Sequence, residues 1–132
     1  MTLTPGLTGE ASTTVDHTNT AAALGSGLVP VYGTPALIAL LELAAVHAVA
    51  DYLPPGATSV GTHLDVRHLA ATPIGMRVRA QATLTEVGGR RLTFAVEAHD
   101  EVEKVGEGLH TRVVVDVERF VQRVEAKKRR ET

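Results

Sequence analysis

One glutamate sits where a glutamate is costly. Glu42 lies in the stretch 35–50, whose only other polar residue is His47. Three and four positions from it along a helix stand Ile38, Ala39, Ala45 and Val46. An unpaired buried carboxylate is expensive, so Glu42 should be protonated, hydrogen-bonded or facing a cleft. In a cleft it could attack a carbonyl or activate a water. The structural alternative is a carboxylate paired with an arginine or a loop amide. His68 closes an alternating stretch and falls on one face with Val60, Thr62, Leu64 and Val66. An inward histidine is either a core residue or a general acid or base, here also a candidate orienting partner for Glu42. Thr34 precedes Pro35 and reads as a helix N-cap. A helix N-terminus also gathers amide donors and positive potential, which suit a polarised oxygen. Between Thr34 and Glu42 lie about 12 Å of helical rise and about 80° of rotation, so the two do not touch directly. Gly61 interrupts a strand pattern and marks a bend, a bulge or a close backbone approach; a free amide there could hold a carbonyl oxygen.

The remaining candidates are weaker. His63 and Asp65 fall on the face opposite His68, so the spacing His63-x-Asp65-x-x-His68 is a poor metal motif. His47 is turned about 140° from Glu42 around the helix and serves another environment. His99 and His110 lie in strands of open register and read as structural or interfacial. Arg67, Arg77, Arg79, Arg90, Arg91 and Lys104 could meet a polyanionic ligand, although exposed strand faces carry such charges routinely. Gly106-x-Gly108 has no following helix and is no dinucleotide motif. No serine occupies a nucleophile elbow.

These residues need elements to hold them. A helix is expected from residue 34 to about 52, stopped by Pro54-Pro55-Gly56. Being apolar on nearly all sides, it should be buried on nearly all sides. Residues 58–69 alternate. Residues 76–84 alternate more cleanly, with Met76, Val78, Ala80, Ala82 and Leu84 on one face. Gly88-Gly89 signals a hairpin, and Leu92, Phe94, Val96 and Ala98 share the next inward face. Residues 100–104 form a turn or bulged junction. A last strand covers 105–117 and an amphipathic helix 118–128. Residues 1–28 hold one weak strand (7–15) and a mobile loop (16–27), and 125–132 form a basic, frayed tail.

The order is weak strand, buried helix, then about four strands with hairpin connections. That is an α+β domain with an antiparallel sheet, and a curved sheet wrapped around one long buried helix is the hotdog arrangement. One such domain accounts for all 132 residues. Its edges favour a homodimer through an edge strand or the sheet. A net charge of −2 gives no footprint for nucleic acid. The absence of cysteine excludes disulfides, thiolate metal sites and thiol nucleophiles. The apolar stretch is too short and too polar at its middle for a membrane span. Residues 1–10 lack a signal-peptide pattern, so a cytoplasmic location is expected.

Several short motifs then fall into a familiar order: Val31-Tyr32-Gly33-Thr34-Pro35, Leu41-Glu42-Leu43-Ala44, Ser59-Val60-Gly61-Thr62, and His68-Leu69-Ala70-Ala71-Thr72-Pro73-Ile74-Gly75. Gly89-Arg90-Arg91-Leu92, Ala98-His99-Asp100 and Gly106-x-Gly108-x-His110-x-Arg112 follow. Over about residues 29–125 the chain resembles the fluoroacetyl-CoA thioesterase group of hotdog proteins. The resemblance implies a hotdog homodimer that hydrolyses an acyl-CoA thioester without metal or cofactor, CoA entering only as part of the substrate. It implies that Thr34, Glu42 and His68 act together and that the Gly61 amide helps hold the reacting oxygen or water. The fluoroacetyl enzyme carries aromatic residues just before the equivalent of Thr34. Here residues 24–30 contain no Phe and Tyr32 is the only aromatic nearby, so a different acyl group or a more mobile lid is expected. A non-catalytic acyl-CoA binding module and a hotdog hydratase or dehydratase are the alternatives.

Overall fold

A computed structural model describes residues 2–129. The elements are β1 (Thr8–Thr14), α1 (Thr34–Val49, extended by a 3-10 turn, Ala50–Tyr52), β2 (Ala57–His68), β3 (Arg77–Gly88), β4 (Arg91–His99), β5 (Lys104–Asp116) and α2 (Val117–Glu125). A final 3-10 turn, Ala126–Arg129, follows α2; residues 130–132 of the expected frayed tail lie outside the described residues. All five strands join one antiparallel sheet in the order β1-β3-β4-β5-β2. It curls around α1, giving the α+β hotdog architecture.

Alternation builds the core. Val78, Ala80, Ala82 and Leu84 of β3 and Leu92, Phe94, Val96 and Ala98 of β4 are all buried. They face Leu37, Leu41, Ala44, Ala45, Ala48 and Val49 of α1. The alanines let β1 pass close over the helix. A Cβ at Gly9 would fall inside the backbone of Ala44 and Ala48, and His47 Nδ1 donates to the Glu10 carbonyl at 2.7 Å. The glycine pair makes the expected hairpin: Gly88 pairs with Arg91, and Gly89 takes a positive φ of 64°.

Four expectations change. The helix is not buried on nearly all sides, because one sheet covers only about half of it. Ile38 and Val46 are half-buried, and Ala39 and Leu43 are exposed. The cap is Gly33, in extended backbone with no side-chain bond, so Thr34 is the first helical residue and not the N-cap. Thr34–Tyr52 is, by length and composition, long and apolar enough to cross a membrane; its leucine and alanine face is instead packed on the sheet. Finally, β2 does not keep one face from Val60 to His68. Its pairing with β5 shifts between Gly61 and His63, leaving Thr62 as a bulge. Ser59 and Gly61 therefore face the helix side before the bulge, and Val66 and His68 face it after, while Val60 points the other way.

Candidate active site

Two clusters stand along α1. At its start, Thr34 Oγ1 lies 2.7 Å from His68 Nδ1. Because the cap is a glycine, the Thr34 hydroxyl makes no capping bond and is available to the ring. His68 Nε2 is buried with no hydrogen-bond partner among the described residues. Burial lowers the His68 pKa below 6.5, against a smaller opposing effect of the Ala70 backbone. The ring is neutral at neutral pH, with its second nitrogen unmatched.

A hollow of about 330 Å³ opens beside this pair, lined by Thr34, His68, Ala21, Val31, Tyr32, Leu69, Ala70 and Ala71. Tyr32 is buried, donates to the Ala36 carbonyl at 3.1 Å, and has its phenol pushed up to about 12 by burial. It is a wall of the hollow, not an acid. The hollow is braced from behind. Tyr32 N donates to the Thr72 carbonyl at 2.9 Å, and the buried Thr72 hydroxyl donates to Asp100 Oδ2 at 2.9 Å. The segment expected to be a mobile lid runs through turns tied at their base, with Ala21 N donating to Val31 O at 2.8 Å and Ser26 N to Ala21 O at 2.9 Å. At its tip Leu28 is 97% exposed.

Two turns further along α1, Glu42 meets the β2–β5 seam. Arg112 Nη1 donates to Glu42 Oε2 at 3.3 Å. The guanidinium is held from the other side by Ser59, with Nε on the hydroxyl and Nη2 on the carbonyl, both at 2.8 Å. His110 Nε2 stands 3.1 Å from Arg112 Nη1 and 3.9 Å from Glu42 Oε2. The Arg112 side chain is 7% exposed and that of Glu42 is 37% exposed, so the carboxylate is the part of the pair that reaches the surface. Gly61 lies against it: a Cβ there would sit 2.7 Å from Glu42 Oε2. Of the choices open to Glu42, the structure takes a hydrogen-bonded ion pair with one side open.

The structure thus pairs Thr34 with His68, and Gly61 with Glu42. No hydrogen bond joins Glu42 to Thr34 or His68 among the described residues, so the partner of Glu42 is Arg112 and not His68. Sequence reasoning missed Arg112, Ser59 and the setting of His110. His110 and Arg112 are two residues apart and share one face of β5, but the β2–β5 register is what sets Arg112 opposite Gly61 and His110 opposite Leu64. The other basic candidates are dispersed: Lys104 pairs with Glu97 and Glu107, Arg79 with Glu10, and Arg77 donates to Ser12. Among the described residues, no group of three or more His, Cys, Asp or Glu is placed to hold a metal ion.

The model of the fluoroacetyl-CoA-specific thioesterase family FlK matches residues 15–118. The fluoroacetyl-CoA thioesterase of Streptantibioticus cattleyicolor is 45% identical over 97 residues, 74% of this chain and 70% of that protein. A solved structure of the fluoroacetyl-CoA thioesterase FlK superposes with a TM-score of 0.89 at 37% identity, covering 95% of this chain and 97% of the other. A thioesterase superfamily member from Thermus thermophilus superposes with a TM-score of 0.86 at 28% identity, covering 97% of each chain.

Proposed function

Because the chain belongs to the family of fluoroacetyl-CoA-specific thioesterases, we propose that its site hydrolyses an acyl-CoA thioester to a carboxylic acid and CoA. Supporting the reading from the geometry is one observation: the Thr34–His68 pair borders a hollow with His68 Nε2 unpartnered, and a surface-reaching carboxylate, Glu42, stands two turns along the same helix.

In this mechanism the thioester lies along α1 between the two clusters. Amides at the helix start, with the Thr34 hydroxyl or the Gly61 amide, face the oxygen as charge develops on it. Glu42 either attacks the carbonyl carbon or takes a proton from an attacking water. When Thr34 donates to His68 Nδ1, the neutral ring carries its hydrogen on Nε2 and can donate a hydrogen bond to the departing thiolate, which takes up the proton that Glu42 removed from the water. No metal takes part, and CoA is present only as substrate. Apart from Tyr32 and the Thr34–His68 pair, the hollow is walled by alanine and aliphatic residues, and residues 24–30 contain no Phe, which favours an acyl group other than fluoroacetyl. The protein acts in the cytoplasm.

Thiol release from acyl-CoA esters, short to long and including aryl-acetyl groups, tests the activity. Glu42→Gln should lower kcat by about a hundredfold or more and leave the thermal midpoint within a few degrees, since the side chain is partly exposed. No release from any ester by the parent protein overturns the reading. Full release in the variant removes Glu42 from the mechanism.

The working unit is a homodimer. The half of α1 left uncovered by the sheet and the long edge strand β2, with Leu64 41% exposed, are the surfaces a second copy would cover. Light scattering on the eluting protein should give twice 13.9 kDa; an active species of the single mass would refute it.

A further inference from the structure

Behind the Glu42–Arg112 pair lies a histidine that the mechanism leaves unused. We infer that His110 is a positioning residue, a buried neutral imidazole whose lone pair aims the Arg112 guanidinium at Glu42. The argument starts from donor and acceptor types. A guanidinium only donates, so the 3.1 Å contact from Arg112 Nη1 makes His110 Nε2 an acceptor. The ring proton is then on Nδ1, where it donates to the His63 carbonyl at 2.8 Å. Both ring nitrogens are matched, and the ring is fully buried and stacked on Phe94 at 6.4 Å between centroids.

The arrangement specifies Arg112 completely on the side of the reacting carboxylate. Nη1 has two hydrogens and two acceptors, Glu42 Oε2 and His110 Nε2. Ser59 holds the opposite edge through Nε and Nη2. Remove the His110 lone pair and one Nη1 hydrogen is left unmatched in a buried site, so the guanidinium has reason to pivot away from Glu42. Protonate His110 and an N–H replaces the lone pair, with a second cation against Arg112. The charged and titratable groups facing the ring are Arg112, Glu42 and His63. Burial, the largest effect, and the Arg112 charge disfavour the protonated ring; the His63 backbone and Glu42 favour it, and burial prevails.

The kinetic test rests on the acyl-CoA hydrolase reading; the spectroscopic one does not. His110→Leu keeps the volume and loses the acceptor, whereas His110→Gln returns an oxygen near the position of Nε2. With the best ester, His110→Leu should lower kcat by about tenfold or more while KM changes by less than about threefold, and His110→Gln should recover most of the loss. Turnover in folded His110→Leu equal to the parent, or His110→Gln no better than His110→Leu, overturns the inference. If His110→Leu does not fold, nitrogen-15 NMR of the parent decides: His110 should show a protonated Nδ1 and a bare Nε2 at pH 7. The opposite tautomer or a cationic ring overturns it. A parent that cleaves no ester but shows the expected tautomer defeats the hydrolase reading and leaves the His110 arrangement standing.

Discussion

A methyl group at Gly61 would sit 2.7 Å from the Glu42 carboxylate and 3.1 Å from the His110 ring. Glu42 is the movable partner, because His110 is buried and bonded at both nitrogens. Gly61→Ala should therefore displace Glu42 and leave the core intact. The expected result is a fall in kcat of about tenfold or more, with the thermal midpoint within a few degrees. Unchanged turnover with unchanged folding would show that Glu42 does not work from this position. As single residues, Glu42 and Gly61 stood out in the sequence by breaking their local patterns, whereas Thr34 read as a cap and His68 as the end of an alternating face, and only the family resemblance joined the four. Their pairing was not legible. Thr34 meets His68 across 34 residues of chain, and Glu42 meets Arg112 across 70. Those distances in sequence are closed by strand register and helix placement, which side-chain spacing does not encode.

At the scale of elements, β1 and α1 depend on the absence of one side chain. Gly9 leaves no room for a Cβ over Ala44 and Ala48, and the obstruction is backbone, so relaxation requires the whole strand to move. Gly9→Ala should cost about 1–3 kcal/mol or more, read as a lower denaturant midpoint at unchanged slope. An unaltered midpoint would mean that β1 lifts freely from the helix. β3 as far as Leu84, and β4, were readable residue by residue because one face of each is buried there, and strict alternation follows from that. β2 was not. It lies at the sheet edge, much of it is exposed, and the only compositional sign of its irregularity is Gly61. The start of α1 was misread for a related reason. Thr and Gly rank alike as caps, and here the Thr34 hydroxyl has a ring nitrogen as partner while Gly33 takes the cap position.

For the molecule as a whole, one buried histidine and one half-buried one set a pH limit. His68 and His110 both have pKa values lowered from 6.5, chiefly by burial. Below 6.5 the unfolded chain binds protons that the folded chain refuses, so unfolding is favoured progressively as the pH falls. Above 6.5 both states are neutral at these positions and the effect vanishes. The thermal midpoint should drop between pH 6.5 and 5, and His110→Gln should flatten part of that slope. A midpoint independent of pH over this range would contradict the lowered proton affinity of both rings. Architecture was the most legible property of the chain: a long apolar helix followed by alternating strands has few ways to close a core. How completely the helix is covered was beyond the sequence. The same leucines and valines serve an intramolecular core and a surface left open by a single sheet.

The bulge at Thr62 carries a consequence for how this strand can vary in length. Gly61 and His68 differ by an odd number of positions, and in an unbroken strand odd and even positions look in opposite directions. One surplus residue reverses the parity midway and lets both serve the same side. Losing Thr62 alone would leave a regular strand of acceptable hydrophobicity, still able to pair with β5. It would nonetheless turn either the glycine or the histidine to the wrong side. Changes by two residues preserve parity and changes by one do not, so the length of this edge strand is counted modulo two.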